Sequence, residues 1–315
     1  MNQNEEFDVK FNANCYNIYE FLNNHPGGTN YLRPYQEKEV TKPMKQYQHS
    51  KAAYYLLEEY RKGGRKIEEN SDMEKLVDWD KPMLGQVTSL GNKYYEWVTS
   101  PVDRRLRLFG NPILENLTIT PWYVVPIIWI PVIIYVTLIG VRKYIQITKD
   151  SSPTTIAFYF GEGVLLWTLI EYSLHRWVFH IEPTGKSKMM IYFHFTIHGL
   201  HHKVPFDSRR LVFPPFPAAI LTFVIYQMLC PIFSESTIFL VLGGGLSGYV
   251  TYDMIHFYLH HGAPTEDSYL YHLKRYHNQH HFAQHESGFG ISSMFWDKVF
   301  GTALKLRKLN IGIKW

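Results

Sequence analysis

The placement of the histidines constrains this chain more than any other feature. Fourteen of the sixteen lie between residues 175 and 285, in or near four groups. These are HRWVFH (His175, His180), HGLHH (His198, His201, His202), HFYLH (His256, His260) and HNQHH (His277, His280, His281). On an α-helix, positions i, i+3 and i+4 share a face. His198, His201 and His202 therefore project together, as do His277, His280 and His281, and His256 with His260. The five-residue step from His175 to His180 spreads the two rings around a straight helix, so a helix is expected to end or unwind there. A single imidazole at a membrane surface is most simply a hydrogen-bonded polar residue; four groups at ligand spacing are not. Ten rings are too many for one tetrahedral zinc, and two metals at roughly five nitrogens each fit the count. Imidazole suits Zn, Cu, Fe and Ni alike. The Glu-x-x-His signature of soluble di-iron bundles is absent. His194, His261, His272 and His285 fall outside the groups and read as supporting residues.

Two carboxylates sit close by. Asp253 precedes His256 by three residues and His260 by seven, on the same face. Such a carboxylate can accept the far ring N–H of a metal-bound histidine and fix its tautomer. Glu171, four residues before His175, can do likewise or can pair with an arginine. Ionisable groups inside apolar spans are functional candidates.

The groups border long apolar runs. Trp122 to Ile139, WYVVPIIWIPVIIYVTLI, has no charge and is about long enough to cross the hydrocarbon layer as a helix. Ile156–Leu174, Val212–Phe233 and Ser236–Ile255 are further candidates. Hydrophobic content is 46% and aromatic content 16%, yet mean hydropathy is slightly negative, so a membrane part is joined to a polar part. Lys and Arg concentrate in 100–121, 175–211 and beyond Ile255, which predicts both termini in the cytosol. Both histidine-bearing ends then emerge on one face. A formal net charge of +4, with scattered basic residues, does not suggest a nucleic-acid protein, and no nucleic-acid partner is expected. Cys15 and Cys230 can build neither a disulfide framework nor a thiolate site, as expected of working faces in reducing cytosol. The polar N-terminus MNQNEEFDVK has no cleavable signal pattern.

Residues 1–66 read as a small soluble unit, followed by a charged linker, RKGGRKIEENSDMEK (61–75). In 76–121, KYYEWV (93–98) is either an interfacial aromatic anchor or a helix packed on a neighbouring domain. CYNIYEFLNNHPGG (15–28) suits a short strand and a turn ending at His25. Twenty-four residues later His49 opens a helical run. Histidines on both faces of a flat ring leave a heme no open position for O2, so it transfers electrons.

HPGG and the second histidine, in that setting, resemble cytochrome b5, though few residues precede the first matched strand. The resemblance implies heme b held by His25 and His49. The four histidine groups in order resemble the fatty acid hydroxylase superfamily of integral-membrane enzymes. LVDWDKPML, WYVVPIIWIPV, LIEYSLHRWVFH, RLVFPPFPA, GYVTYDMIHFYLHHG and SGFGISS, from about residue 76 to nearly 300, are similar to the fatty acid 2-hydroxylases within it. This resemblance implies that the ten grouped histidines bind two non-heme irons, with zinc an alternative occupant in the isolated protein. It also implies that Tyr252 and Asp253 line the site. The expected fold is mainly α: a four-span transmembrane helical bundle with a cytosolic helical cap, plus a small α+β N-terminal domain. The expected units are 1–66 (heme), 67–121 (linker and interfacial segment) and 122–315 (hydroxylase). The implied setting is a multi-pass protein of the endoplasmic reticulum membrane, in contact with membrane lipid. Its partners would be a fatty acid or ceramide, O2 and an NAD(P)H-dependent reductase, in sphingolipid synthesis.

The chemistry agrees with this. A saturated C–H bond offers no acid, base or leaving group, so a metal must carry the oxidation. A fused heme unit supplies the two electrons at high effective concentration. Ligands at helix mouths lie near headgroup depth, where oxidation close to the carboxyl end of an acyl chain needs only a shallow pocket. Two other readings are a related sterol oxidase or desaturase, and a histidine-lined metal-ion transporter. The heme unit and RLVFPP disfavour the first. The second would place ligands near the bilayer midplane.

Overall fold

The structure is a computed structural model that describes residues 6–25, 28–47, 49, 53–54, 57, 60–62, 73–102, 104–183, 185, 187–265 and 268–306. The middle of the expected linker, 63–72, lies outside the described residues, as do Pro26 and Gly27 of HPGG.

The N-terminal unit starts with an antiparallel hairpin, β1 (Asp8–Phe11) and β2 (Asn14–Asn17), with Asp8 opposite Asn17. Asn12 and Ala13 turn the chain with positive φ, which matches the right-handed twist of the flanking strands. Successive side chains alternate, so Val9 and Phe11 point inward. They meet Tyr16, Ile18, Val40, Met44, Tyr54 and Leu57 in a core belonging to this unit alone. The short helices α1 (Thr29–Leu32) and α2 (Thr41–Gln46) frame the histidine pair.

Two short helices follow, α3 (Met83–Val87) and α4 (Tyr94–Val98). Of the two readings of KYYEWV, the packed helix is the one found: Tyr94 and Trp97 are fully buried. They join Met83, Val87 and Leu108 in a core shared with Ile191, Phe195 and Leu200. A buried lysine locks this core. Lys203 Nζ donates to Trp97 O (3.0 Å), Ser100 O (2.7 Å) and Glu74 Oε1 (2.5 Å), and lies 4.4 Å from the Trp97 ring centre. After α5 (Pro112–Leu117) come the long helices.

Among the described residues, three helices are long and apolar enough to cross a membrane. They are α6 (Val124–Thr148), α7 (Pro153–Ser173, continuing to Phe179) and, after three shorter helices, α11 (Ile238–His261). The intervening helices are α8 (Lys188–His194) and α9 (Leu200–Lys203), then α10 (Pro215–Leu229), apolar but only fifteen residues long. α11 is the hub, packing on both α6 and α7. Ile127, Ile134, Leu138, Phe158 and Leu165 stay exposed on the outer faces, as expected where the solvent is lipid. Small residues let the hub helices approach: a Cβ on Gly163 would stand 2.0 Å from Val241 O. Trp122 meets Phe257 at 5.8 Å, and Lys143 pairs with Glu235 at 2.7 Å. The start of α6 thus lies beside the histidine-bearing end of α11, and the far ends of the two helices also adjoin. α12 (Tyr269–Phe282) and α13 (Phe295–Val299) close the chain over the inner ends.

Candidate metal centre

Every grouped histidine arrives at one place. His175, His180, His198, His202 and His280 form one cage, and His201, His256, His260, His277 and His281 form the other. Within each, the candidate ligand atoms all lie within 4.8 Å of one another. The helix-face reading is refined: each i, i+3, i+4 group straddles the two cages. His201 departs from His198 and His202, and His280 departs from His277 and His281. The cages touch where His202 stacks on His281 at 4.2 Å.

At the five-residue step from His175 to His180 the α-helix ends or unwinds as expected, here by widening its turn. Leu174–Phe179 is a π-helix, and His180 N donates to His175 O at 3.1 Å. An i→i+5 turn aligns residues five apart, so the two Nε2 atoms lie 3.2 Å apart. A second π-helix, Phe195–Gly199, carries His198. Such widened turns cluster at functional sites.

The spacing of the ring nitrogens discriminates between possible contents. Among pairs at hydrogen-bonding distance, Nε2–Nε2 separations in the first cage run from 3.0 Å (His202–His198, His280–His180) to 3.2 Å (His202–His180), and all candidate ligand atoms lie within 4.8 Å of one another. In the second these separations run from 2.8 Å (His260–His277) to 3.1 Å (His256–His201, His256–His277). Nitrogens about 2.1 Å from one metal are about 3.0 Å apart at right angles and about 3.4 Å apart at the tetrahedral angle. With five candidate nitrogens in each cage, these separations fit two ions with five or six ligands each better than tetrahedral sites. Hydrogen bonding alone cannot satisfy these rings. His175 Nδ1 donates to Phe289 O (2.5 Å) and His280 Nδ1 to Ser287 O (2.8 Å), which leaves bare Nε2 lone pairs facing one another. His281 is fully buried, and neither of its ring nitrogens has a hydrogen-bond partner. Converging lone pairs repel unless a cation sits among them. Burial pushes His201 down to about 3 and holds His198, His202, His277, His280 and His281 well below the usual imidazole range, so each is neutral with a lone pair to offer a metal.

The carboxylates act differently from expectation. Both oxygens of Asp253 accept the Phe213 N–H, at 3.2 Å each, so it anchors RLVFPP and does not orient His256. Glu171 accepts from Ile291 N (3.0 Å), Ser292 N (2.8 Å) and Ser292 Oγ (2.6 Å), not from His175. Its effect on His175 runs through the loop that supplies the Phe289 carbonyl. Tyr252 stacks on His256 at 5.9 Å and lines an apolar cleft between α7, α10 and α11, with Trp167, Phe179, Phe213 and Leu221. Phe179 also stacks on His198 at 5.3 Å, so the cleft ends against the cages.

In the N-terminal unit the His25 and His49 rings lie 6.0 Å apart. Two metal–nitrogen bonds of about 2 Å plus two half-rings of about 1 Å span that distance. Each Nδ1 bonds to a carbonyl, His25 to Gly28 O (3.1 Å) and His49 to Met44 O (3.0 Å). That leaves Nε2 bare on both, as axial ligands require.

A family profile described as fatty acid hydroxylase matches residues 160–302, and one described as a cytochrome b5-like heme/steroid binding domain matches 2–65. A fatty acid 2-hydroxylase of Homo sapiens is 40% identical over 335 residues, covering 93% of this chain and 90% of that protein. The chain belongs to the fatty acid hydroxylase family. A dihydroceramide fatty acyl 2-hydroxylase of Arabidopsis thaliana is 45% identical over 228 residues, covering 72% of this chain and 92% of its own length. The solved structure of full-length scs7p, with only its hydroxylase domain visible, is 35% identical with a TM-score of 0.67; the match covers 77% of this chain and 90% of that one. The transporter reading is set aside by these relatives.

Sequence reasoning missed several residues of this hydroxylase. Phe289 and Ser287 act through backbone carbonyls, which leave no side-chain signature. Asp297 accepts from Phe289 N (2.9 Å) and Gly290 N (2.8 Å), and so holds that loop from the other side. The SGFGISS stretch was the available signal, since its glycines and serines mark a tight loop.

Proposed function

We propose that this enzyme hydroxylates C2 of fatty acyl chains, as free acids or ceramide N-acyl chains, for sphingolipid synthesis. The observation that carries the reading is the pair of five-imidazole cages at the inner end of an apolar cleft. The ten histidines would hold two irons, which supply O2 activation when bound; zinc is the alternative occupant of the isolated protein. His25 and His49 would hold heme b, re-reduced by an NAD(P)H-dependent reductase.

The chain's own residues do the rest. Leu221 and Ile225 on α10 and Trp167 on α7 bind the acyl tail by excluding water from it. Phe179 and Tyr252, each stacked on a cage imidazole, flank the carbon next to the reacting centre. Asp253 acts by fixing Phe213 at the cleft wall.

We further propose four crossings with both termini in the cytosol, in the endoplasmic reticulum membrane. α7 and α11 both end at the cages, so the chain must return to the far side between them, and α10 is the segment available. The Lys143–Glu235 pair at the far ends supports this, as does the bias of Lys and Arg toward the cage side. The units are then 1–66 for heme, 67–121 as linker and interfacial segment, and 122–315 for the hydroxylase, with described residues of the middle segment also forming the cytosolic cap.

Incubation with fatty acid or ceramide, reductant and 18O2 should give a 2-hydroxy product carrying one labelled oxygen. Unlabelled product, or oxidation elsewhere on the chain, would sink the proposal. Metal analysis should return about two non-heme irons per chain beside the heme.

A further inference from the structure

The N-terminal unit touches the hydroxylase at one informative corner. α11 leaves its last histidines through Gly262, and the loop 262–265 leads to α12, which begins after Ser268. A Cβ on Gly28 would lie 4.0 Å from Ala263 Cβ, in ordinary van der Waals contact. Ala263 is exposed on the hydroxylase side. Beneath the loop, Lys274 is buried and donates to Leu259 O (2.7 Å), Gly262 O (3.1 Å) and His260 O (3.3 Å). It thereby caps the C-terminus of α11, where carbonyls favour a cation. Lys274 lies within electrostatic reach of His25 on one side and of His261 on the other. The two helices that meet at this corner supply His256, His260, His277 and His281, four of the five rings of the second cage.

We infer that the loop Gly262–Thr265, backed by Lys274, is the docking seat for the edge of the heme unit that carries His25 and Gly28. The seat directs that edge to the second cage and not the first. The inference rests on the reading of His25 and His49 as heme ligands. Lys274 has two effects here: it fixes the exit angle of α11, and it sets a positive charge under the loop that receives the heme unit. Burial makes that charge costly, and Lys274 is pushed down to about 8; three carbonyl acceptors hold it in place.

The test uses the full-length, heme-loaded protein in lipid vesicles. A photo-crosslinking benzoylphenylalanine at Ala263 should capture peptides from residues 19–33, while the same group at Lys149, on the far ends of the helices, should not. Capture at 263 of lipid alone or of other segments, in protein with a full Soret band, overturns the docking. A missing Soret band instead overturns the heme reading on which it rests. In a second variant, Ala263→Arg, heme and non-heme metal contents should be unchanged. Re-oxidation of the reduced heme by O2 in the presence of fatty acid should slow at least tenfold. An unchanged rate overturns the inference.

Discussion

At the residue scale, the proposed chemistry needs neutral imidazoles, and burial supplies them at His198, His201, His202, His277, His280 and His281. A histidine held below its unfolded value of about 6.5 binds fewer protons in the folded protein than in the unfolded chain. Its contribution to stability is full above about pH 6.5 and is lost as the pH falls toward the folded value, about 3 for His201. Each such group tilts stability by up to roughly 1.4 kcal/mol per pH unit in that window. Acidification from pH 7 to pH 5 should therefore lower the melting temperature and release non-heme metal. A melting curve flat across that range would mean the rings are not buried and neutral. Glu171 gives a second expectation. Its carboxylate accepts three hydrogen bonds from the loop that orients His175. Glu171→Gln keeps the volume but turns an amide donor toward other donors, an unsatisfied arrangement costing about 1–3 kcal/mol. Metal content should fall from about two toward one per chain, the first cage emptying before the second. Full occupancy by metal analysis would show that the loop needs no carboxylate.

At the element scale, cage geometry depends on how closely α7 and α11 approach, since the first carries His175 and the second His256 and His260. Cβ atoms at Gly163 and Gly244 would stand 2.0 Å from Val241 O and 1.9 Å from Phe160 O, both rigid backbone. Gly163→Leu should force the helices apart and cost most of the bound metal and activity. Gly161→Ala, with nothing within 4 Å, should leave both unchanged. Equal behaviour of the two variants in metal analysis would refute the close-approach argument. These elements also mark what could be read from the sequence. The four histidine groups and the apolar runs beside them were legible, because ligand spacing and hydropathy are local patterns. The division of the rings between cages was not, because it depends on where α9 and α12 meet α7 and α11. The π-turn at Leu174–Phe179 was visible only as an odd five-residue step. Lys203 and Lys274 carried no signal at all: a lysine that caps buried carbonyls looks like any surface lysine until the fold encloses it.

At the scale of the whole molecule, the proposed function divides the work between two units with separate cores. The first has its own hydrophobic cluster around Val9, Phe11 and Tyr16, while the cages are framed by helices from α7 onward. That separation makes loss of heme and loss of non-heme metal independent events. His25→Ala removes one axial ligand but none of the core side chains, so the N-terminal unit should fold. The Soret band should shift or vanish, and non-heme metal should remain at about two per chain. Hydroxylation driven through a reductase should fall at least a hundredfold, because electrons then arrive only by encounter and no longer at the high effective concentration of a tethered donor. Added free cytochrome b5 should restore part of the rate in proportion to its concentration. Should the variant hydroxylate at the full rate with reductase alone, the fused unit would not be the electron source, and the cages would have to be supplied through another face.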